Sequence, residues 1–352
     1  MKQLLNTLYV THSDSYISKD GNNLLISIDG KEVGRVPVHN IQQIVCFGYS
    51  GVSPYAMRLC IENNVTISFM TSNGKFLASV YGETKGNVLL RREQYRIADD
   101  LDSSLRISRH MITGKILNSL GLLKKGKNNH KDKIDVNVVN RTITKLNELI
   151  TEIDSVSDMD ALRGLEGEAA KAYFNAFDSM ILQNKTDFFF RCRNRRPPRD
   201  RTNAILSFLY SMLANDVKSA LESIGLDSYV GFLHTDRPGR PSLALDVMEE
   251  MRPLADRLTL NLINLRIVQP EGFIEKENGA IIMNDDTRKI VIDAWQSRKT
   301  EIVYHPYLKE KLSVGLIPFV QAMLLSRHIR GEINGYPPFI LKQGYNDAID
   351  NI

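Results

Sequence analysis

The hydrophobic and polar positions follow two different periods along the chain. Over about the first ninety residues, short apolar runs alternate with turn residues, which is typical of β-strands joined by hairpins. From about residue 90, apolar positions recur every three or four residues, which is the period of amphipathic helices. The pattern predicts an α+β fold, with a small N-terminal β-sheet domain over residues 1–90 and a larger all-α C-terminal domain over residues 91–352.

Turn signals divide the first region into strands. Residues 15–18 and 24–28 flank an Asp-Gly turn, and residues 65–70 and 75–81 enclose a Ser-Asn-Gly turn. Because these dipeptides favour tight hairpin turns, each pair of runs predicts a hairpin. Residues 1–7 are expected to begin a further strand.

Helix signals are clearest in the second region. Within the first region, residues 53–61 predict one short helix, with Ser53 as its cap and Pro54 in its first turn. Four longer helices are expected further on, over residues 155–181, 202–224, 241–265 and 313–328. A Lys/Asn-rich stretch over residues 122–133 is expected to be an exposed loop.

The composition narrows the class of protein. Of the 352 residues, 43% are hydrophobic and 24% are charged, as in ordinary globular domains. No apolar run approaches the roughly 20 residues that cross a bilayer, and no signal peptide is evident, so we expect no membrane association. The cysteines Cys46, Cys60 and Cys192 form no CxxC pair, which favours a reducing, cytoplasmic setting.

Glu166 is a carboxylate on an otherwise apolar helical face. It lies three, four and seven residues from Ala169, Leu162 and Tyr173, and a buried carboxylate is costly unless something compensates its charge. Glu166 is therefore either a boundary residue paired with a neighbour such as Arg163, or a functional acid.

The helix expected after Pro241 carries three acids at close spacing. Asp246 is three residues from Glu249 and four from Glu250, so their charges should repel one another on one side of the helix. A bound cation would relieve that repulsion. On a solvated face, nearby arginines would neutralise the acids instead, namely Arg240, Arg252 and Arg257.

His234 lies in a loop just before this acidic helix. A lone loop histidine is commonly a surface residue, but here its imidazole could complete a mixed oxygen and nitrogen site. Two carboxylates and one imidazole, without a thiolate, suit Mg²⁺ or Mn²⁺ better than a structural Zn²⁺.

A concentrated basic segment follows Phe188-Phe189-Phe190. Its arginines are Arg191, Arg193, Arg195, Arg196, Arg199 and Arg201. The whole chain carries a net charge of only +4, so this cluster stands out and favours nucleic acid over a merely solvated loop.

The order of these motifs resembles a known family. The segments 164–167, 231–234 and 242–253, with Asn203 and Tyr210 between them, resemble the CRISPR-associated integrase/endonuclease of spacer acquisition, the CRISPR-associated protein 1 family. The sequences Glu-Gly-Glu-Ala-Ala and Pro-Gly-Arg-Pro-Ser are most similar to the subtype I-C branch.

The resemblance implies roles for particular residues. The metal ligands of the family fall on Glu166, His234 and Glu249, with Mg²⁺ or Mn²⁺ as the cofactor. The acid at Asp246 would support the site or approach the metal. Tyr210 matches a tyrosine near the scissile DNA end, and Asn203 precedes it at the family's interval.

The resemblance also implies an activity and partners. The activity is a metal-dependent DNA endonuclease/integrase of CRISPR adaptation, which inserts short foreign DNA (spacers) into the CRISPR array by 3′-hydroxyl transesterification. The partners are the foreign fragment, the CRISPR repeat, a second copy of the chain paired through the β-rich domain, and a small ferredoxin-like subunit that completes a heterohexamer. Two rival hypotheses remain open, a non-catalytic DNA-binding scaffold and a plain metal nuclease without integration.

Overall fold

The computed structural model describes residues 7–12, 14–41, 43–71, 76–80, 87–195 and 197–341. The chain divides into two compact units, residues 1–86 and 87–352. The boundary expected from the sequence, at residue 90, falls inside α2 (Val88–Asp99), which is the first helix of the second unit. Of the strand expected at residues 1–7, residues 1–6 lie outside the described residues.

The described part of the first unit contains two four-stranded sheets and one helix. Its strands are β1 (Thr7–Val10), β2 (Ser15–Asp20), β3 (Asn23–Ile28), β4 (Lys31–Pro37), β5 (Gln43–Phe47), β6 (Gly51–Val52), β7 (Thr66–Met70) and β8 (Phe76–Val80). One sheet has the order β1-β5-β7-β8, in which only β7 and β8 are antiparallel. The other has the order β4-β3-β2-β6, in which only β2 and β6 are parallel.

Both expected hairpins are present. β2 pairs with β3 across the Asp-Gly turn, with Asp20 opposite Asn23. β7 pairs with β8, and the turn expected between them lies outside the described residues. The helix α1 (Pro54–Glu62) is also confirmed, since the Ser53 side chain accepts a hydrogen bond from the Ala56 amide.

The sequence analysis missed strand β5. All five of its residues are buried between β1 and β7, and the four after Gln43 form a continuous apolar run without alternation. Such runs carry no period-2 signal, because both faces of the strand are covered.

The second unit is mainly helical. After α2 its helices are α3 (Leu101–His130), α4 (Val136–Glu152), α5 (Met159–Phe177), α6 (Arg201–Ile224), α7 (Ser242–Met248), α8 (Arg252–Asn264), α9 (Asp285–Thr300) and α10 (Ile317–Ile329). Two short antiparallel hairpins interrupt the expected all-α arrangement: β9 (Phe273–Glu275) with β10 (Ile281–Met283), and β11 (Ile302–His305) with β12 (Glu310–Ser313). The last helix starts later than expected, because β12 extends to Ser313 and a 3₁₀ turn over Val314–Leu316 follows it.

The expected loop at residues 122–133 is wrong over most of its length. Helix α3 continues to His130, and Leu123 on its inner face is fully buried. Lysine is a good helix former, so a polar stretch continues a helix whenever the opposite face is packed.

The helix expected over residues 241–265 is broken at its centre. A 3₁₀ turn over Glu249–Met251 separates α7 from α8. Pro253 lies in the first turn of α8, and its ring would clash with the carbonyl of Glu249 in a continuous helix. The break places two acids, Glu249 and Glu250, on a turn instead of on a regular helical face.

The buried helix α6 is central to the second unit. Helices α7, α8, α9 and α10 pack around it, while α3 packs against α4, α5 and the Glu249–Met251 turn. Within the described ranges, no helix is long and apolar enough to cross a membrane.

Candidate active site

A cavity of about 560 Å³ opens in the second unit between α3, α5, α6 and the turn that joins α7 to α8. The three residues expected as metal ligands line it: Glu166 from α5, His234 from the loop before α7, and Glu249 from the turn. The fold thus brings together side chains that are far apart in the sequence.

Glu249 is a deeply buried acid of the cavity wall. Its side chain is 5% exposed, and its Oε1 and Oε2 lie 2.8 Å from Arg252 Nη2 and 2.7 Å from Lys115 Nζ. Burial by itself would raise the pKa of this carboxyl, but the two cations overcome it and lower the pKa to about 2. Glu249 is therefore ionised throughout the physiological range.

Glu166 contacts the same ammonium. Lys115 on α3 donates a hydrogen bond to Glu166 Oε1, so one lysine bridges both acids. The pairing with Arg163 that the sequence left open does not occur, because Arg163 binds Asp160 at 2.9 Å and the Leu233 carbonyl.

The sequence analysis missed Lys115. A signal was present, since this lysine directly precedes the buried Ile116 on a helix whose buried residues include Met111 and Ile112. Burial would lower the pKa of its ammonium, but Glu249 and Glu166 raise it above its ordinary value. Lys115 is accordingly a cation.

Asp246 holds the loop that carries His234. Its carboxylate is 0% exposed and accepts hydrogen bonds from the backbone amides of Phe232, Leu233 and His234 at 2.6, 3.0 and 3.0 Å. It also lies 2.6 Å from His234 Nδ1, which leaves Nε2 as the nitrogen available to a ligand. A Cβ at Gly231 would lie 2.7 Å from Asp246 Oδ2, so the close approach requires glycine there.

Tyr210 belongs to a buried network beside the cavity. Its hydroxyl donates to Asp256 Oδ1 at 2.5 Å, and the Tyr173 hydroxyl donates to Oδ2 at 3.0 Å. The guanidinium groups of Arg193 and Arg252 lie 5.2 and 4.7 Å from the centre of the Tyr210 ring. Burial raises the pKa of Asp256 to about 6, although both hydroxyls and Arg252 oppose the shift.

The donor set of the cavity suits a hard divalent cation. Two carboxylates already converge on one positive charge, and an imidazole lies in the same wall. Within the described residues, no three His, Cys, Asp or Glu side chains stand close enough to hold one ion as arranged. Lys115 lies between the acids, so an ion at this place would have to take over contacts that the ammonium now makes.

Comparison with known proteins identifies the family of this chain. The family model described as CRISPR associated protein Cas1 matches residues 8–297. The chain belongs to the Cas1 family. The CRISPR-associated endonuclease Cas1 1 of Chlorobaculum tepidum is 47% identical over 341 residues, which cover 97% of this chain and 99% of the relative. The CRISPR-associated endonuclease Cas1 2 of Rhodospirillum rubrum is 45% identical over 347 residues, which cover 97% and 100%.

Solved structures share the Cas1 fold. A Cas1 protein from Thermotoga maritima superposes with a TM-score of 0.79 at 22% identity, over 96% of this chain and all of that one. A casposase bound to its integration product superposes with a TM-score of 0.83 at 22% identity, over 98% of both chains. At such identities the likeness shows the fold, and it confirms the α+β layout expected from the sequence. Family membership confirms the resemblance seen in the sequence, and the relatives are named CRISPR-associated endonucleases.

Glu250, the third acid of the segment formed by α7, the following turn and α8, does not line the cavity. Its buried carboxyl accepts hydrogen bonds from the Tyr336 hydroxyl, from Gln321 at 3.0 Å and from the Phe339 amide at 2.6 Å. Burial raises its pKa to about 8. The expected crowding with Asp246 and Glu249 is therefore wrong, because the broken helix sends the three carboxylates in different directions.

The arginine segment divides into cavity residues and structural residues. Arg193 and Arg195 line the cavity, while Arg191 and Arg199 are exposed. Arg201 instead bonds to the carbonyls of Asp187 and Pro270, at 3.2 and 3.4 Å. Arg196 lies outside the described residues.

The expectation that Asn203 contacts DNA needs correction. Asn203 is 0% exposed, and its amide bonds to the Cys192 carbonyl at 2.9 Å, to Asp200 at 2.7 Å and to Arg193 at 2.6 Å. A residue with every polar atom occupied inside the fold positions the arginine segment and is not available to DNA.

Proposed function

We propose that this Cas1-family chain is a metal-dependent DNA endonuclease and integrase of CRISPR adaptation. The observation that carries the proposal is the convergence of Glu166, His234 and Glu249 on one cationic cavity. A scaffold that only binds DNA has no use for two acidic side chains in its DNA path, since negative charge repels phosphates.

In this proposal Glu166, Glu249 and Nε2 of His234 hold Mg²⁺ or Mn²⁺. When bound, such an ion supplies Lewis-acid stabilisation of charge on the phosphodiester oxygens and favours ionisation of the attacking hydroxyl. Asp246 fixes the imidazole so that Nε2 faces the cavity. Arg252 keeps one oxygen of Glu249 oriented, at 2.8 Å.

The remaining cavity residues bind and orient DNA. Arg193 and Arg195 carry positive charge into the cavity, where they attract the phosphates on either side of the reacting bond. The 3′-hydroxyl of a short foreign fragment attacks a phosphodiester at the edge of the CRISPR repeat. One P–O bond forms as one breaks, so the reaction needs no nucleotide hydrolysis, in keeping with a sequence that contains no P-loop.

The proposal includes an assembly. The first unit pairs with that of a second chain, and its exposed aromatic residues Tyr49 and Tyr55, 91% and 73% exposed, are suited to such a contact. Two such homodimers bridge a dimer of a small ferredoxin-like subunit in a heterohexamer. A structural neighbour of 20% identity and TM-score 0.81 is named a Cas6-RT-Cas1–Cas2 complex, which supports a partner subunit.

Two finer assignments complete the proposal. We place the chain in the subtype I-C branch because of the sequence motifs at residues 166–170 and 238–242. We place it in the cytoplasm because its three cysteines are free thiols. The genes that flank the coding sequence test the branch directly, since another subtype's gene set would contradict it.

An integration assay tests the reaction. Purified chain and partner subunit are mixed with a short duplex and a supercoiled repeat-bearing plasmid, with Mn²⁺ or with EDTA. We expect joined product only with metal, and a loss of about 100-fold or more in Glu166→Gln and in His234→Ala, because each removes a metal ligand. Glu168→Gln is the matched control, because Glu168 lies outside the cavity in an exposed pair with Lys145 at 2.7 Å.

The rival hypotheses give different results in the same assay. Retained DNA binding with no joined or cleaved product under any condition supports the scaffold. Cleavage with water, but no joining when a free 3′-hydroxyl donor is supplied, supports a plain nuclease. A donor that ends in a 3′-deoxy sugar controls for the nucleophile, since it cannot form joined product.

A further inference from the structure

Lys115 is a lysine held inside the cavity between the two acids of the proposed metal site. Its side chain is 14% exposed, and Nζ contacts Glu166 Oε1 and lies 2.7 Å from Glu249 Oε2. The α3 helix that carries it is fastened independently to the acidic turn, since Asn118 donates to the Glu250 carbonyl at 2.7 Å. The fold itself therefore sets the place of Lys115, and its contacts with the acids are not a chance approach of a surface lysine.

The charges of this cluster balance without any bound ion. Glu166 and Glu249 contribute two negative charges, and Lys115 and Arg252 contribute two positive charges at contact distance. Two like charges this close in a poorly solvated cavity would repel strongly if uncompensated. A divalent ion would therefore have to enter a site in which two cations already neutralise the acids.

The two cations differ in how firmly they are held. Arg252 lies between Glu249 Oε1 and the face of the Tyr210 ring, at 2.8 and 4.7 Å, so packing fixes its planar group. Lys115 ends in a compact ammonium on a flexible four-carbon stem, which can leave the acids by rotation about its own bonds. Of the two, Lys115 is the cation that a metal ion can replace.

We propose that Lys115 is a resident cation that holds Glu166 and Glu249 together before metal binding and leaves both acids when the divalent ion binds. The inference rests on the metal site of the proposed function. Because ammonium and metal compete for the same oxygens, Lys115 sets the metal concentration at which the site fills.

Metal titration of variants tests the competition directly. Mn²⁺ binding to the full chain is measured by calorimetry and by the electron paramagnetic resonance signal of free Mn²⁺. Lys115→Gln should bind Mn²⁺ about tenfold more tightly or better, because the competing charge is gone. Lys115→Arg keeps the charge and should stay within about threefold of the wild type. Lys145→Gln, which alters an exposed pair outside the cavity, should leave the affinity unchanged.

Melting temperatures add a second readout for the same variants. With EDTA, Lys115→Gln should melt several degrees below the wild type, since the buried Glu249 and the partly buried Glu166 lose the ammonium that they share. With saturating Mn²⁺, its melting temperature should rise more than that of the wild type, because a tighter ligand stabilises the folded state more.

The unmodified chain offers a test that needs no folded variant. Amine-reactive labelling followed by mass spectrometry reports the accessibility of Lys115 with EDTA and with Mn²⁺, with Lys145 as the internal reference. Release of the ammonium predicts a several-fold increase in Lys115 labelling when Mn²⁺ is bound.

The outcomes separate this inference from the proposed function. Mn²⁺ binding that Glu166→Gln abolishes, but that Lys115→Gln leaves equal or weaker, overturns the role of Lys115 and keeps the metal site. Unchanged labelling of Lys115 while calorimetry shows bound Mn²⁺ also overturns it. A wild-type chain that binds no Mn²⁺ overturns the metal site itself, and the inference with it.

Discussion

At the scale of single residues, the site depends on side chains that act on other side chains. Asp246 accepts four hydrogen bonds from the loop and ring of His234, and Asp256 accepts one each from Tyr210 and Tyr173. Neither acid needs to touch DNA or metal to matter. Each fixes the direction of a group that lines the cavity.

Substitution of Asp246 tests whether it acts through His234. Asp246→Asn retains the size of the side chain, but its amide group would point hydrogens at the backbone and ring N–H groups that now donate to the carboxylate. We therefore expect the unfolding free energy to fall by about 2 kcal/mol or more. We also expect integration to fall about 10- to 100-fold.

A double-mutant cycle separates positioning from direct ligation. If Asp246 acts only through the imidazole, the variant with both Asp246→Asn and His234→Ala should be no less active than His234→Ala alone. A further large loss in the double variant would show that Asp246 contacts the metal or the substrate itself.

At the scale of elements, the geometry of the site comes from two interruptions in helical sequence. The loop over residues 231–234 brings His234 to the cavity, and the turn at Glu249–Met251 aims Glu249 into it while Glu250 points elsewhere. Regular helices would have placed all three acids of this region on one side.

Gly231 is expected to be necessary for the first interruption. A Cβ there would lie 2.7 Å from Asp246 Oδ2 and 2.9 Å from the backbone carbon of Ser242, and this backbone cannot move cheaply. Gly231→Ala should therefore lower the unfolding free energy by about 1–3 kcal/mol, measured by urea denaturation.

The matched control is Gly164→Ala on α5. A Cβ at Gly164 has no described neighbour within 4 Å, so alanine should be neutral or stabilise the helix by up to about 1 kcal/mol. Equal effects at the two glycines would contradict the close approach at Gly231.

At the scale of the whole second unit, the buried acid Glu250 connects elements that are far apart in the sequence. Glu250 binds Tyr336 and Phe339 of the C-terminal segment and Gln321 of α10, while Asn118 of α3 donates to the carbonyls of Glu250 and Phe339. The C-terminal segment is thereby fastened to α3, α10 and the acidic turn. The network stabilises the turn through residues that do not line the cavity.

The raised pKa of Glu250 makes this network sensitive to pH. Its pKa is about 8 in the folded chain and near 4.5 when unfolded, so the folded state holds the proton more tightly. The resulting stabilisation is complete below about pH 4.5 and is lost as the pH rises through about 8. Glu250→Gln should remove this slope, because an amide does not titrate.

Urea denaturation of the wild type and of Glu250→Gln at several values between pH 5 and pH 8 measures the difference. We expect the stability of the variant relative to the wild type to improve by about 1 kcal/mol or more over this interval. Parallel curves for the two proteins would contradict a neutral carboxyl at Glu250.

The sequence by itself determined part of the local structure and the residue types of the expected metal ligands. Turn dipeptides and caps specify the β2–β3 hairpin and the start of α1, and an alternation of three and four residues specifies α6, because these signals act over a few neighbouring residues. The motifs around Glu166, His234 and Glu249 likewise identify the Cas1 family without a structure.

Only the tertiary structure decided which charges meet. Lys115 reaches Glu166 across 51 positions of sequence, and Tyr210 reaches Asp256 across 46. Such contacts depend on how whole helices pack, and ion pairs between helices leave no periodic trace in either one. For the same reason, the separation of Glu250 from Glu249 follows from a broken helix and its packing, which spacing along the chain does not record.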